Sequence, residues 1–222
     1  PRIWERRPVD PDYLAVRLGL GTISAAVTAV FQQAQVIIDE NVLETEAKEL
    51  ADNSKAIENA PILCSLIDGR LTGLVGARHD EIALVRNMIV ELATTHSCDE
   101  LKIVVLVPER EMEEWAWIRW LPHCQDSKHA RRYFFTSPDA AEEGLTEVEE
   151  ILSRRKNDSG EYRGGDQAEM IPQYLIVAAA SWIERLPIRK YVFSDTELGC
   201  SSIFIYNSLA SLPKECSQII EV

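Results

Sequence analysis

The residues with the strongest claim to chemistry run from Gly76 to Glu81, GARHDE, where an apolar stretch that begins at Leu71 ends and a helical pattern begins. Strand, loop and helix in that order are the layout of a phosphate-binding loop, GxxxxGK[ST]. Its glycines admit backbone N–H groups to the phosphates, its lysine neutralises them and its hydroxyl ligates magnesium. Counted from Gly76, the positions for Gly, Lys and Ser/Thr hold Glu81, Ile82 and Ala83; counted from Gly73 they hold Arg78, His79 and Asp80. A loop one residue shorter, counted back from the helix, puts Glu81 at the lysine and Ile82 at the hydroxyl. Every register lacks the lysine, and a carboxylate in its place repels a triphosphate. Gly76, Ala77, Arg78, His79, Asp80 and Glu81 are therefore expected to form a degenerate cofactor loop, with Arg78 and His79 the cations nearest the helix start.

Such a site also needs an acid at the end of a buried strand, to hold magnesium and orient the attacking water. The strand best suited, YLIVAAA from Tyr174, closes on Ala178, Ala179 and Ala180, and the first acid beyond it is Glu184. With both halves degenerate, no catalytic residue is assigned and no cofactor or metal is expected. ATP with magnesium enters only under the alternative of a weak, atypical nucleotide-binding or hydrolysing domain. His123 beside Cys124 raises a third reading, a free-standing thiol enzyme, but no Asn or Asp is tied to the pair by a motif. Next to Pro122, His123 suits a helix-end hydrogen bond instead. His96, Cys98 and Asp99 are too close and too mixed for a metal set. Trp115, Trp117, Trp120 and His123, with Trp4, Arg6 and Arg7 near the start, offer contact surface to neighbouring domains, because aromatic side chains bring large area at small entropic cost.

The elements that must position these residues follow from periodicity. Residues 1–11, with three prolines, form a lead-in; 12–21 alternate as a strand, and 22–31 give a weaker β-type segment. A helix is expected over 39–59, acidic at its start and stopped by Pro61. From there short apolar runs alternate with amphipathic helices, the pattern of an α/β domain with a largely parallel sheet. Strands are expected at 62–67, 71–76, 101–107, 132–136, 174–180, 191–192, 202–206 and 218–222. Helices are expected at 80–95, at 109–121 with its three tryptophans, and from an N-cap at Ser137 to about residue 156. Residues 157–165 read as a loop and 182–190 as helix or turn. The expected organisation is a β-rich lead-in over 1–60, packed on a core domain over 61–222.

Composition bounds the function. With 222 residues, 46% apolar and 27% charged, the chain has material for one substantial core. A formal charge of −13 disfavours nucleic acid and anionic lipid as partners. The five cysteines, without CxxC pairs, suit reduced thiols. No apolar run approaches the roughly 18 residues of a membrane span, and the start at Pro1 suggests a segment of something longer.

Three stretches carry a family resemblance: RIWERRPVDPDYLAVRLGLG from Arg2, GLVGARHDEIALVRNMIVELATTHSCDELKIVVL from Gly73 and EEWAWIRWLPHCQD from Glu113. Together they resemble the FtsK/SpoIIIE-type membrane ATPases of type VII secretion, EssC and EccC, and specifically their first, degenerate ATPase-like domain, between the transmembrane helices and the tandem ATPase domains. The resemblance runs from about residue 2 to 184. It implies a RecA-like, P-loop-NTPase-like α/β fold on the cytoplasmic face of a bacterial membrane, with the membrane reached through a transmembrane segment absent from this sequence. The implied role is structural or regulatory, in a motor that exports small helical-hairpin proteins, with other motor domains and subunits as partners. Residue by residue, Gly76 matches the loop glycine; the lysine, the hydroxyl and the strand-end acid have no match, so catalysis is not carried over.

Overall fold

The apolar runs pair as the helix-and-strand alternation requires. In a computed structural model, which describes residues 3–26, 29, 42–128, 130–158 and 170–222, six strands form one sheet. They are β3 (Leu71–Val75), β4 (Leu101–Leu106), β5 (Phe134–Phe135), β6 (Gln173–Ala178), β7 (Cys200–Ile205) and β8 (Gln218–Glu221), in the order β5-β4-β6-β7-β3-β8. Every pairing is parallel, with β3 against β7 in the register Leu71 to Ser202 and against β8 in the register Thr72 to Gln218. All residues of β3, β4, β6 and β7 are buried, which is why their apolar residues run together, as in Ile103–Leu106 and Leu175–Ala178, rather than alternate. The sheet is flanked by α2 (Arg78–Thr95), which buries Ile82, Val85, Met88, Ile89 and Leu92, and by α5 (Thr146–Asp158), which buries Val148 and Leu152. This is a RecA-like α/β fold.

By compactness the chain divides into residues 1–16 with 65–222 as one unit and 17–64 as another, where sequence alone suggested a boundary at residue 60. The second unit contains most of β1 (Ala15–Ser24), α1 (Val42–Asn53) and β2 (Ala56–Ser65), with β1 and β2 paired as a two-stranded sheet. The helix expected over 39–59 thus ends at Asn53, and the chain is extended again before Pro61. Pro61 lies within β2 instead of stopping a helix, as an edge position in a two-stranded sheet allows. The β-type segment expected over 22–31 falls partly, and the loop over 157–165 largely, outside the described residues.

Three further expectations are corrected. The tryptophan helix is broken into a 3-10 turn at Glu109–Glu111, a single α-turn α3 (Met112–Trp115) and 3-10 turns at Ala116–Trp120 and Pro122–Cys124. The acidic helix after Ser137 is two helices, α4 (Pro138–Gly144) and α5. A Cβ on Gly144 would lie 2.3 Å from the Phe135 ring, so that turn seats against β5. Tyr191 and Val192 belong to the helical turn α6 (Arg189–Val192), not to a strand. Ser137 does cap α4, its hydroxyl accepting from the Ala140 N–H at 3.4 Å. Among the described residues no helix is long and apolar enough to cross a membrane.

Candidate functional site

In a parallel sheet the carboxyl ends of the strands open onto the crevice where ligands sit. Here that crevice is a cleft of about 250 Å³ lined by Arg78 after β3, Pro108 and Arg110 after β4, Ala179 to Trp182 after β6, and Ile205 to Asn207 at the end of β7. It is small beside the roughly 300–1,000 Å³ of ordinary ligand pockets.

The turn out of β3 is short because α2 begins at Arg78, two residues earlier than periodicity indicated, leaving only Gly76 and Ala77 between strand and helix. Ala77 sits at the N-cap with no side chain to satisfy the helix N–H groups. The acid of the first turn compensates. Glu81, 0% exposed, reaches back so that one carboxylate oxygen accepts from the Gly76 N–H at 2.9 Å. That is the reach of a capping-box glutamate, extended by one position on each side. Its other oxygen accepts from the Arg78 guanidinium at 3.2 Å. Arg78 also forms a close, two-point ion pair with Glu111, itself buried, and sends a longer bond to the Ile205 carbonyl at 3.5 Å. The sequence placed Glu81 where it would repel a phosphate; in the fold its carboxylate takes the N–H that a phosphate oxygen would want.

Gly76 has a packing reason to be glycine. The last residues of the chain pass directly over it, the Val222 N–H donating to the Val75 carbonyl at 2.9 Å, and a Cβ on Gly76 would lie 2.2 Å from the Val222 carbonyl oxygen. His79 and Asp80 point away as exposed residues. Ala178, Ala179 and Ala180 leave the end of β6 without a carboxylate, and the Ala179 N–H is bonded to the Leu106 carbonyl. Glu184 is exposed; its charge, after burial, helps push the Tyr206 phenol up to about 12. Glu111 is the site residue that sequence reasoning missed, 33 positions from its partner Arg78 with no local motif to join them.

Trp4, Arg6, His96 and His123 gather at the opposite end of α2, whose last turn has no basic residue to meet its carbonyls. The lead-in supplies the donors. Trp4 gives its Nε1–H to the Ala93 carbonyl at 3.1 Å and its backbone N–H to Thr94, and the Arg6 N–H binds Thr95. Arg6 also pairs with Asp12 and Glu91, and Arg7 with Glu100 at 2.7 Å. His123, buried, lies edge-on to Trp4 and bonds the His96 carbonyl through Nε2 at 2.9 Å, so it serves the end of α2 and not of the turns that precede it in sequence. His96 accepts the Leu14 N–H at Nε2 and faces the Leu92 carbonyl with Nδ1, so both nitrogens are spent inside the chain. Burial lowers the pKa of His96 to about 4 and depresses His123 as well. Cys124 is buried, its thiol bonded to the Tyr133 carbonyl and pushed up to about 12 by desolvation, which is the reverse of an activated nucleophile. Trp115 is a core residue, Trp117 is half-buried and Trp120 is 83% exposed, a spread that the broken helix produces.

No protein-family model matches the chain. The type VII secretion system protein EssC of Staphylococcus aureus is 28% identical over the full length of the chain, and the ESX secretion system protein EccC of Thermomonospora curvata is 29% identical over 184 residues, 80% of the chain. The chain is homologous to EssC and EccC. It spans only 15% of the EssC sequence and 13% of that EccC. Among solved structures, ATPases 2 and 3 of EssC from Geobacillus thermodenitrificans superpose with a TM-score of 0.56 at 13% identity, covering 97% of this chain and 37% of theirs. The cytoplasmic domain of the Thermomonospora curvata type VII secretion ATPase EccC superposes at 0.54 with 15% identity, covering 73% of this chain and 21% of its own. At those identities the EssC and EccC structures establish the fold.

Proposed function

We propose that this chain is a noncatalytic, regulatory ATPase-like domain of a type VII secretion motor, coupling a membrane anchor at the cytoplasmic face of a bacterial membrane to downstream ATPase domains. One observation carries the reading: the Glu81 carboxylate sits on the Gly76 N–H, and Arg78, the one cation of the loop that faces the cleft, is bound to Glu81 and Glu111. The seat that would cradle a phosphate holds an anion of the chain itself. Ile82 and Ala178 to Ala180 offer no magnesium ligand, and positioned cations and metal supply most of the stabilisation in phosphoryl transfer. The role needs no cofactor. Its partners are other domains and subunits of the motor and, through the full-length protein, small helical-hairpin substrates.

A weak hydrolase is the second reading, favoured by the presence of both Arg78 and Arg110 in the cleft lining. Phosphate release from Mg-ATP separates the two. The chain is expected to release none above buffer, and turnover that disappears in Arg78→Ala would overturn the noncatalytic assignment. In the full-length motor, Arg78→Ala is expected to lower export while the other domains continue to turn over ATP; a parallel loss of turnover would assign hydrolysis to this domain.

A further inference from the structure

Away from the cleft, a second groove of about 430 Å³ is walled by Ala116, Trp117, Arg119, Trp120 and Arg132. Its composition is unlike the rest of a chain of net charge −13. Trp120 stands 83% exposed, an unusual state for a side chain with so much apolar surface. The Arg119 guanidinium lies 5.1 Å from the Phe134 ring centre, and Arg86 lies 5.9 Å from that of Trp117. A guanidinium over an aromatic face keeps N–H groups available to a carboxylate. Neither is in an ion pair among the described residues: Arg119 donates only to the Ala116 carbonyl and Arg86 only to the Glu114 carbonyl. The indole N–H of Trp117 is shielded from solvent and has no hydrogen-bond partner among the described residues.

We propose that this groove docks an acidic segment of another polypeptide, a carboxylate on Arg119 and an apolar side chain against Trp120. Charge complementarity selects the occupant. A second basic surface is repelled by the arginines, and among the described residues the groove walls carry no acidic side chain to oppose a carboxylate. Exposed aromatic and arginine side chains framed by a pocket are the residue types that carry binding energy at protein interfaces. The proposal goes beyond the secretion-motor reading and does not depend on whether the cleft binds nucleotide.

The test is binding of the 222-residue chain to immobilised acidic decapeptides, each with one Phe, Leu or Trp among Asp and Glu. The same set with Lys for the carboxylates, and a single-stranded thymidine oligonucleotide, run beside it. Saturable binding to acidic peptides is expected, weakening with salt and falling about tenfold or more in both Arg119→Glu and Trp120→Ala. Both side chains are exposed, so the variants should fold, and circular dichroism verifies that they do. No saturable binding to any acidic peptide, equal retention of the lysine set, stronger retention of the oligonucleotide, or indifference to both substitutions would each overturn it.

Discussion

Glu81 does two jobs with one carboxylate: it satisfies the Gly76 N–H and it neutralises Arg78, whose other partner is Glu111. A buried charge so placed is costly to strip of its partners. Glu81→Gln keeps an acceptor for Gly76 and should cost about 1–2 kcal/mol, whereas Glu81→Ala leaves the N–H and Arg78 unmatched and should cost about 2–4 kcal/mol. Urea denaturation of both variants reads the difference, and equal losses would contradict the double role. His96 predicts a pH dependence. Its folded pKa near 4 lies below the 6.5 of an unfolded histidine, so between those values the unfolded chain takes up a proton that the folded chain refuses. Stability is full above about pH 6.5 and declines by about 2–3 kcal/mol as pH falls toward 4. His123, shifted the same way, steepens the decline. Urea midpoints between pH 7.5 and 4.5 check this, and His96→Gln should flatten the slope while lowering stability at neutral pH.

At the scale of elements, α2 is held at both ends by groups outside it. Its first turn is tied to Gly76 and to Glu111 after β4, and its last turn is capped by Trp4, Arg6 and His123. Trp4→Ala should therefore cost about 1–2 kcal/mol by removing a capping donor. It should also speed amide hydrogen exchange at the carboxyl end of α2 more than at its start. Gly76→Ala should displace β8, because the new methyl meets the Val222 carbonyl, at a cost of about 1–3 kcal/mol visible in thermal unfolding. The elements legible in the sequence were those that one chemical pattern dictates: β3, β4, β6 and β7 as apolar runs, α2 as an amphipathic repeat, α4 by its Ser137 cap. Illegible were elements set by tertiary contacts. Periodicity could not say that Ala116–Trp120 would tighten to a 3-10 turn, or that Ala56 to Asn59 would leave the helix for the two-stranded sheet. The loss of the lysine at the loop was legible too. The Glu81–Arg78–Glu111 arrangement was not, since Glu111 joins from beyond another strand.

For the molecule as a whole, a RecA-like sheet has kept the cleft at its carboxyl edge while the chain's own side chains occupy the anion seat. EssC and EccC, to which the chain is homologous, are much longer proteins, of which it spans 15% and 13%. On the function proposed above, a loop satisfied by Glu81 and Arg78 would present a fixed surface to neighbouring domains. The most direct test of this account is the Gly76 amide itself. In a nitrogen–proton correlation spectrum, the Gly76 and Arg78 backbone signals should stay in place as Mg-ATP is raised to millimolar concentration, and the Gly76 signal should move in Glu81→Ala without nucleotide. A saturable shift of Gly76 in the unaltered chain at micromolar Mg-ATP would mean that phosphate displaces Glu81, and the account would be wrong.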